Sequence, residues 1–196
     1  MATTKNGSPQ LAAPGAGLPA YELAIARALF ALRAWTNDRR STDAMFRKER
    51  TQVADLVRAC PKGRLGERVL IPRPRGLEDS SRHWSVLMTL DHLRIVNLAC
   101  AAIIRDLSEG RVPAGKASTA DVKPSPAVTE AVIAAYEASC DEVLAAVASA
   151  RDLDDAARFP HPWFGPMSAR RWHLLAAVHL GLHRRQIDTI VRGLKA

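Results

Sequence analysis

The chain has 196 residues, of which 47% are apolar, and it carries a formal net charge of +8 at pH 7. This length suits one domain with a substantial core, and the apolar content excludes a largely disordered chain. No run approaches 18 uncharged apolar residues, so we expect no membrane-spanning helix. Residues 1–18 are small, polar and proline-rich, without the apolar segment of a secretory signal. We expect them to form a flexible, disordered tail, followed by one domain over residues 19–196.

The positive charge raises the question of nucleic-acid binding. The densest basic cluster is Lys62, Arg64, Arg68, Arg73 and Arg75, within a connection that contains proline and glycine. No recognition motif, aromatic stacking platform or zinc-finger spacing accompanies this cluster, so a solvated arginine-rich surface is the favoured interpretation. The three cysteines are an odd number without metal-binding spacing. They indicate a reducing compartment, and we expect a cytoplasmic protein.

The first half of the chain contains two helical segments and a long connection. Helical periodicity predicts a helix over residues 21–35, and an asparagine–aspartate pair interrupts it. Residues 42–59 follow, either as a continuation or as a separate helix, and a cysteine–proline pair ends them. Residues 61–80 have no helical pattern, and an extended run at residues 68–72 has no partner strand in the sequence. A connection of this length in a compact domain is typical of a segment that flanks a pocket.

The next predicted helix covers residues 82–107, with Ser80 or Ser81 as its N-terminal cap. Its apolar residues recur with the helical period: Trp84, Leu87, Met88, Ile95, Ala99 and Ile103. His92 lies in register with this stripe, so we expect its imidazole inside the protein. Its neighbour Asp91 points elsewhere on the helix and is expected to be solvated.

Ser125 and Pro126 form an N-cap followed by a proline at the first helical position, which predicts an alanine-rich helix to about residue 150. Four small residues on this helix are expected to let it approach its neighbours closely: Ala131, Ala134, Ala135 and Ala138. Four long helices without a convincing strand predict an all-α protein with a four-helix bundle.

Residues 160–194 carry the strongest functional signal. They open with an aromatic turn, after which Ser168 stands at a predicted helix N-cap and Gly193 stands where a C-cap glycine belongs. His179 and His183 are four residues apart on this helix. They share one face with Trp172, Ala176 and Ile190. Two imidazoles on an apolar helix face are expected to point into the core.

Two imidazoles at this spacing suit one transition-metal ion, with each ring contributing a nitrogen at roughly 2.0–2.1 Å. Leu180 follows His179, so the glutamate of the zinc-protease motif is absent. A third ligand must therefore come from elsewhere, and the inward His92 is the candidate. Three neutral imidazoles leave an open position of the kind that a catalytic zinc or nickel-type ion has. The alternative interpretation is that these histidines only find hydrogen-bond partners in the core.

Three pieces of sequence together resemble the DinB/YfiT-like superfamily of bacterial four-helix-bundle proteins. The first is Trp84 followed by His92. The second is the segment HPWFGPMSARRWH, which begins at His161, and the third is HLGLHRRQ, which begins at His179. The resemblance is closest over residues 160–190 and fair over residues 82–97. It implies a divalent metal, zinc or nickel, held by His92, His179 and His183.

The resemblance implies less about the reaction. Characterised relatives include thiol-dependent transferases and isomerases that use mycothiol, bacillithiol or glutathione, as well as hydrolase-like members. We therefore expect a small-molecule substrate, with a low-molecular-weight thiol as a co-substrate in the transferase case. A non-catalytic, stress-associated metal-binding bundle that acts through a protein partner remains the alternative. A homodimer is also expected, because bundles with a long apolar helix face often pair.

Further side chains are candidates for the wall of a substrate pocket: His161, Trp84, Trp163, Trp172 and Gln186. Aromatic residues in a bundle more often belong to its core, and a histidine in a proline-rich turn is more often a structural hydrogen-bonding group. Gln186 is placed to reach the outer side of a ligand, because it follows His183 by three residues. His173 lies about 120° around the helix from His179 and is not expected to be a ligand.

Overall fold

The computed structural model describes residues 9–195, and these residues form five α-helices and one short β-hairpin. The helices are α1 (Ala20–Thr36), α2 (Arg39–Ala59), α3 (Val86–Ser108), α4 (Ala131–Ser149) and α5 (Ala169–Lys195). The strands are β1 (Phe159–His161) and β2 (Gly165–Met167), which pair antiparallel. α3 packs along both α4 and α5, and α2 packs along α5, so these four helices form a bundle around one core. The predicted all-α four-helix bundle is confirmed; the hairpin is a feature that the prediction lacked.

α1 and α2 are separate helices because a capping box starts the second one. The Asp38 carboxylate accepts a hydrogen bond from the Ser41 backbone N–H at 2.7 Å, and the Ser41 hydroxyl accepts one from the Asp38 N–H at 2.9 Å. This reciprocal pair satisfies two backbone donors that a helix N-terminus leaves unpaired. Asn37 has an extended backbone and closes α1 by donating its N–H to the Arg33 carbonyl.

α3 begins later than the sequence suggests. Its cap is Ser85, whose hydroxyl accepts a hydrogen bond from the Met88 backbone N–H at 3.1 Å. The prediction of Ser80 or Ser81 as the cap is wrong, because Asp79–Ser81 form a 3₁₀ turn that is separate from the helix. Trp84 consequently precedes α3 instead of lying within it.

The apolar composition of α3 is explained by its place in the core. By length and composition α3 is apolar enough to cross a membrane, but 67% of that apolar window is buried inside the protein. The buried stripe includes Leu90, Leu93 and Ile104, whereas Ala99, which was predicted for the stripe, is exposed. A helix packed between two neighbours needs apolar residues over most of its circumference.

α4 also begins later than predicted. Ser125 and Pro126 lie in a turn, in which the Ser125 hydroxyl accepts a hydrogen bond from the Ala127 N–H. The Ser125 backbone N–H donates to the Asp91 carboxylate at 2.9 Å, and Arg94 pairs with the same carboxylate. Asp91 is therefore buried, and the prediction that it is solvated is wrong.

The small residues of α4 do not pack as expected. Ala131, Ala134, Ala135 and Ala138 are all exposed, so the prediction that they bring α4 close to its neighbours is wrong. α4 instead packs through larger side chains on its opposite face: Val132, Tyr136, Cys140, Val143 and Val147. Alanine is the strongest helix former and also suits exposed helix positions, so the alanine pattern did not identify the buried face.

The connection between α2 and α3 is extended over part of its length. The backbone N–H of Val69 donates to the Trp84 carbonyl, and that of Ile71 donates to the Arg82 carbonyl. Residues 68–72 thus have a backbone partner, contrary to the prediction. Two of the basic side chains in this connection form ion pairs, Arg64 with Glu67 and Arg73 with Glu22.

α5 is continuous from Ala169 to Lys195. The Ser168 hydroxyl lies 3.4 Å from the Arg171 N–H, which agrees with its predicted capping position. Gly193 is inside the helix, so its predicted role as a C-cap is wrong. A Cβ atom at Gly193 would lie 2.9 Å from Val69 Cγ1, so the glycine permits close approach of the α2–α3 connection.

The predicted flexible tail falls partly on residues 1–8, which lie outside the described residues. Within residues 9–18, the backbone N–H of Ala12 donates to the Asp79 carboxylate at 2.8 Å, and that of Gly15 donates to the Glu78 carboxylate at 3.0 Å. This part of the segment therefore lies against the 3₁₀ turn that precedes α3.

Candidate metal centre

Three histidine side chains converge between α3 and α5. His92 projects from α3, and His179 and His183 project from successive turns of α5. Because these two helices pack against each other, the three rings meet with centroid separations of 4.4 to 5.0 Å. One ligand nitrogen from each ring lies within 4.8 Å of the others. The chain thus brings together the three predicted ligands.

The hydrogen bond of His92 defines which of its nitrogens faces the cluster. His92 Nδ1 lies 2.6 Å from the Val122 carbonyl oxygen. A carbonyl oxygen only accepts hydrogen bonds, so Nδ1 carries the proton of the neutral ring. Nε2 therefore presents an unprotonated lone pair toward the other two histidines.

Gln186 fixes the tautomer of His183 in the same way. The Gln186 side-chain N–H donates to the Ser81 carbonyl at 2.7 Å, so the amide oxygen must face His183. That oxygen lies 2.7 Å from His183 Nδ1, which therefore donates the hydrogen bond. His183 Nε2 is left as a buried lone pair without a hydrogen-bond partner.

His179 is the third member of the cluster and lies on the side of the cluster that is most accessible. Its Nε2 lies 3.1 Å from His92 Nε2, and its Nδ1 has no hydrogen-bond partner. A neutral imidazole carries one proton, so His179 alone cannot supply a donor to the lone pairs of both His92 and His183. His179 is partly exposed, whereas the other two rings are buried, so the cluster is most accessible at His179.

Burial keeps these imidazoles neutral. It lowers the pKa of His92 to about 4, against a weaker opposing effect of the Val122 hydrogen bond. Burial also lowers the pKa of His179 and of His183 well below the ordinary value, and the neighbouring imidazoles lower both further. The neutral ring is the form that binds a metal ion.

The donor set fits a divalent transition metal. The separation of 3.1 Å between His92 Nε2 and His179 Nε2 is close to the roughly 3.3 Å expected for two nitrogens on a tetrahedral ion. Within residues 9–195, no fourth histidine, cysteine or carboxylate joins the group. Three imidazoles with no further protein ligand suit an ion such as zinc or nickel that keeps one position open.

Trp84 covers one side of the histidine cluster. Its ring stacks on His183 at a centroid distance of 6.1 Å and an angle of 11°, and it lies 5.1 Å from His92. The Lys123 ammonium lies 5.8 Å from the Trp84 ring and pairs with Glu78 at 3.2 Å. Trp84 and Gln186 are therefore the two pocket candidates that directly contact the predicted ligands.

The other pocket candidates belong to the β-hairpin and its surroundings. The His161 ring stacks on Phe164 at 5.1 Å, and it meets the edges of Trp172 at 5.6 Å and Trp163 at 6.1 Å. We call these four side chains the hairpin aromatic cluster. His161 Nδ1 accepts a hydrogen bond from the Trp163 N–H, and Trp172 Nε1 donates to the Phe159 carbonyl.

The hairpin aromatic cluster lies near His179. Burial lowers the pKa of His161 to about 4, so this ring is also neutral. Burial is the largest cause of the lowered pKa of His179, followed by His92 and then by His161. The effect of His161 indicates that its ring lies close to the ring of His179. Trp163 is half-buried, whereas Trp172 is buried, so Trp163 is the more accessible of the two tryptophans.

His173 lies outside the metal cluster, as its position on α5 predicts. It is fully buried, and its Nε2 is 3.1 Å from an Asp43 carboxylate oxygen on α2. Burial lowers its pKa to about 4, and Asp43 acts in the opposite direction.

Two backbone groups of the site were absent from the sequence prediction. They are the carbonyls of Val122 and Ser81, which act on His92 directly and on His183 through Gln186. Every residue carries a carbonyl, so no side-chain pattern marks these two. Among the groups outside the cluster that hydrogen-bond to the three histidines, only Gln186 was indicated by the sequence, because it follows His183 by three residues.

Comparison with known proteins agrees with the fold. The profile of the DinB superfamily matches residues 45–187 of this chain. The chain therefore belongs to the DinB superfamily. The match contains all three histidines and begins within α2, so α1 lies outside it.

A solved structure shares the architecture. The chain is similar to TT2238, described as a four-helix bundle protein, with a TM-score of 0.56 and 22% sequence identity. The similarity covers 77% of this chain and 98% of TT2238. At this identity the comparison shows the fold alone. No curated protein matches the chain.

Proposed function

We propose that the chain is a metal-dependent enzyme that binds one divalent ion, zinc or nickel, through His92, His179 and His183. One observation carries the proposal: buried Nε2 lone pairs of His92 and His183 face each other and His179 without enough donors to satisfy them. A cation in their midst would remove the cost of leaving such polar groups buried and unpaired.

The proposed chemistry is transfer to or from a thiol, or hydrolysis, of a small molecule. A divalent ion supplies Lewis acidity that lowers the pKa of a water molecule or of a low-molecular-weight thiol co-substrate. Val122 and Gln186 hold two of the imidazoles in the required tautomer and orientation. Trp84 excludes water from one side of the cluster.

We place substrate entry beside His179, because it is the partly exposed member of the cluster. The hairpin aromatic cluster is near this opening and offers apolar surface to a substrate. His161 is neutral and its Nδ1 accepts from the Trp163 N–H, so its Nε2–H can donate a hydrogen bond to a substrate there. We place the protein in a reducing cytoplasm, a proposal that the three unpaired cysteines support.

The first experiment measures metal content. Untagged protein is analysed by plasma mass spectrometry after incubation with zinc or nickel, beside the triple variant His92→Ala/His179→Ala/His183→Ala. We expect about one ion per parent chain and at least a tenfold loss in the triple variant. A His83→Ala variant is the matched control, because it removes a histidine outside the cluster.

A second experiment separates catalysis from metal storage. Metal-loaded protein is screened with electrophiles in the presence of mycothiol, bacillithiol or glutathione, and with ester and amide substrates. Turnover that the parent and His83→Ala share, and the triple variant lacks, supports an enzyme. Stoichiometric metal without turnover on any of these substrates would favour the non-catalytic, stress-associated bundle that acts through a protein partner.

A further inference from the structure

α1 presents an exposed apolar face. The exposed fraction is 69% for Tyr21, 56% for Ile25, 57% for Leu29, 53% for Leu32 and 85% for Trp35. Among residues 9–195, only two other large apolar side chains are comparably exposed, Leu98 and Val112. The exposure is thus concentrated on one helix of 17 residues.

These five side chains form one continuous stripe, which we call the α1 stripe. At about 100° per residue, their positions fall within an arc of about 120° around the helix. Ala28 is also exposed, falls within this arc and lies midway along the length of the stripe. The opposite side of α1 carries Phe30 and Ala34, which are buried against the rest of the chain.

The charged side chains of α1 lie outside the α1 stripe, and each contacts another part of its own chain. Glu22 pairs with Arg73 and accepts a hydrogen bond from the Gly76 N–H. Arg27 Nε donates to the Trp163 carbonyl at 2.6 Å, and Arg33 contacts Met45. Arg27 and Arg33 remain exposed, but at 100° per residue they lie outside the arc of the α1 stripe, so the stripe itself carries no charge.

This arrangement favours an apolar protein partner over nucleic acid or a lipid surface. Nucleic-acid binding requires basic side chains along the contact, and the α1 stripe has none. A helix that lies on a membrane uses arginine or lysine on its polar side to reach the lipid headgroups. α1 has only two arginines, and although both are exposed, Arg27 is held by the carbonyl of Trp163 and Arg33 by the thioether of Met45.

The α1 stripe is self-complementary when read along the helix. The aromatic residues Tyr21 and Trp35 lie at its two ends, and the aliphatic residues Ile25 and Leu32 lie one step inward from them. Ala28 and Leu29 lie at the middle of its length. In an antiparallel pair about a two-fold axis, Tyr21 would face Trp35 of the second copy, and Ile25 would face its Leu32. The small Ala28 near the axis permits close approach of the helices, and such same-patch contacts are typical of two-fold dimers.

The available area is sufficient for such a pair. From typical side-chain areas, the exposed parts of the five residues amount to roughly 650 Å² per chain, or about 1,300 Å² for two copies. Specific dimer interfaces begin at about 1,200 Å² of total buried surface. A continuous patch of this size is also larger than most monomeric proteins leave exposed.

We propose that two copies of the chain form a homodimer through the α1 stripe. α1 lies outside the part of the chain that matches the DinB superfamily. It also supplies none of the three histidines of the proposed metal centre. α1 nevertheless contacts the hairpin aromatic cluster, because Phe30 stacks on Phe164 at 4.4 Å. Dimerisation would therefore hold the hairpin beside the proposed substrate entry. The dimer itself does not depend on the proposed reaction or metal.

The oligomeric state tests this proposal. Sedimentation velocity of the full chain, over a range of concentrations, should show a species of twice the monomer mass. The double variant Leu29→Glu/Trp35→Glu should raise the dimer dissociation constant by about 100-fold or more, because it places charges at the centre and end of the stripe. Val112→Glu is the matched control, since it changes a similarly exposed apolar residue elsewhere and should leave the dimer intact.

Circular dichroism and thermal unfolding of the variants show whether they keep the fold. A monomeric parent at all concentrations would overturn the proposal, and so would a folded double variant that dimerises like the parent. Binding of a monomeric parent to phosphatidylcholine–phosphatidylglycerol vesicles would assign the stripe to lipid instead, which also overturns the proposal.

A cross-linking experiment locates the interface without destabilising it. Ala28→Cys places a thiol near the proposed two-fold axis, and mild oxidation should give a covalent dimer in high yield. Ala131→Cys, at an exposed alanine on α4, is the matched control and should remain monomeric under denaturing electrophoresis. Equal cross-linking of the two variants would contradict the proposed interface.

Discussion

At the scale of single residues, the metal centre depends on groups that orient the histidine rings but are not themselves metal ligands. Gln186 is fully buried and links the Ser81 carbonyl to His183, and the Val122 carbonyl does the equivalent for His92. These contacts decide which nitrogen of each ring points inward. His179 has no such partner, so its ring is the least constrained of the three.

Replacing Gln186 therefore tests the orientation of His183. Gln186→Ala should weaken metal affinity by about 10- to 100-fold, because the ring loses its orienting acceptor. Gln186→Glu keeps an acceptor for His183 Nδ1 and should bind metal more tightly than the alanine variant. The Ser81 carbonyl loses its donor in both variants, so both should unfold at a lower temperature than the parent. Competition titration against a chelator gives the affinities, and parental affinity in Gln186→Ala would refute this role.

At the scale of elements, local signals decided where helices begin and which faces they bury. The capping box at Asp38 separates α1 from α2. α2 then continues along α5, whose length carries His179 and His183 to the level of His92. The hairpin between α4 and α5 places His161 near the same level.

Asp38→Ala should lower the free energy of unfolding by about 1 kcal/mol, because the Ser41 N–H loses its acceptor at the start of α2. Asp38→Asn keeps a side-chain oxygen at the cap and should cost only a few tenths of that value. Urea unfolding followed by circular dichroism measures both. If the two variants were equally destabilised, the charge of Asp38 and not its capping oxygen would matter.

The sequence predicted the helices more accurately than the tertiary contacts that they make. The period of apolar residues around His92 correctly indicated an inward imidazole, and the serine before α5 was recognised as its cap. The start of α4 was misplaced because the Ser125 N–H bonds to Asp91, a tertiary contact that a local motif does not reveal. The exposed α1 stripe has the same period as a core stripe, so periodicity alone predicted a helix but not what covers it.

At the scale of the whole molecule, five histidines are kept neutral for the same reason. Burial is the largest cause of the lowered pKa of His92, His161 and His173, each of which falls to about 4. In the unfolded chain the same side chains have an ordinary pKa of about 6.5. Burial also lowers the pKa of His179 and of His183 within the metal cluster.

The metal-free protein should therefore lose stability as the pH falls from about 6.5 to about 4. In this window the unfolded chain binds protons that the folded chain does not, so acid favours unfolding. Chemical unfolding at several pH values measures the effect, and His161→Phe should flatten the slope by removing one such group. A free energy of unfolding that stays constant across this window would show that the buried rings are not neutral as described.

The central claim is that His92, His179 and His183 together hold one metal ion through their Nε2 atoms. The most direct measurement is anomalous diffraction from crystals of zinc-loaded protein, recorded on both sides of the zinc absorption edge. We predict one strong peak about 2.0–2.1 Å from all three Nε2 atoms, with no fourth protein ligand. Absence of a peak there, ligation through Nδ1, or a fourth protein side chain on the ion would contradict the account.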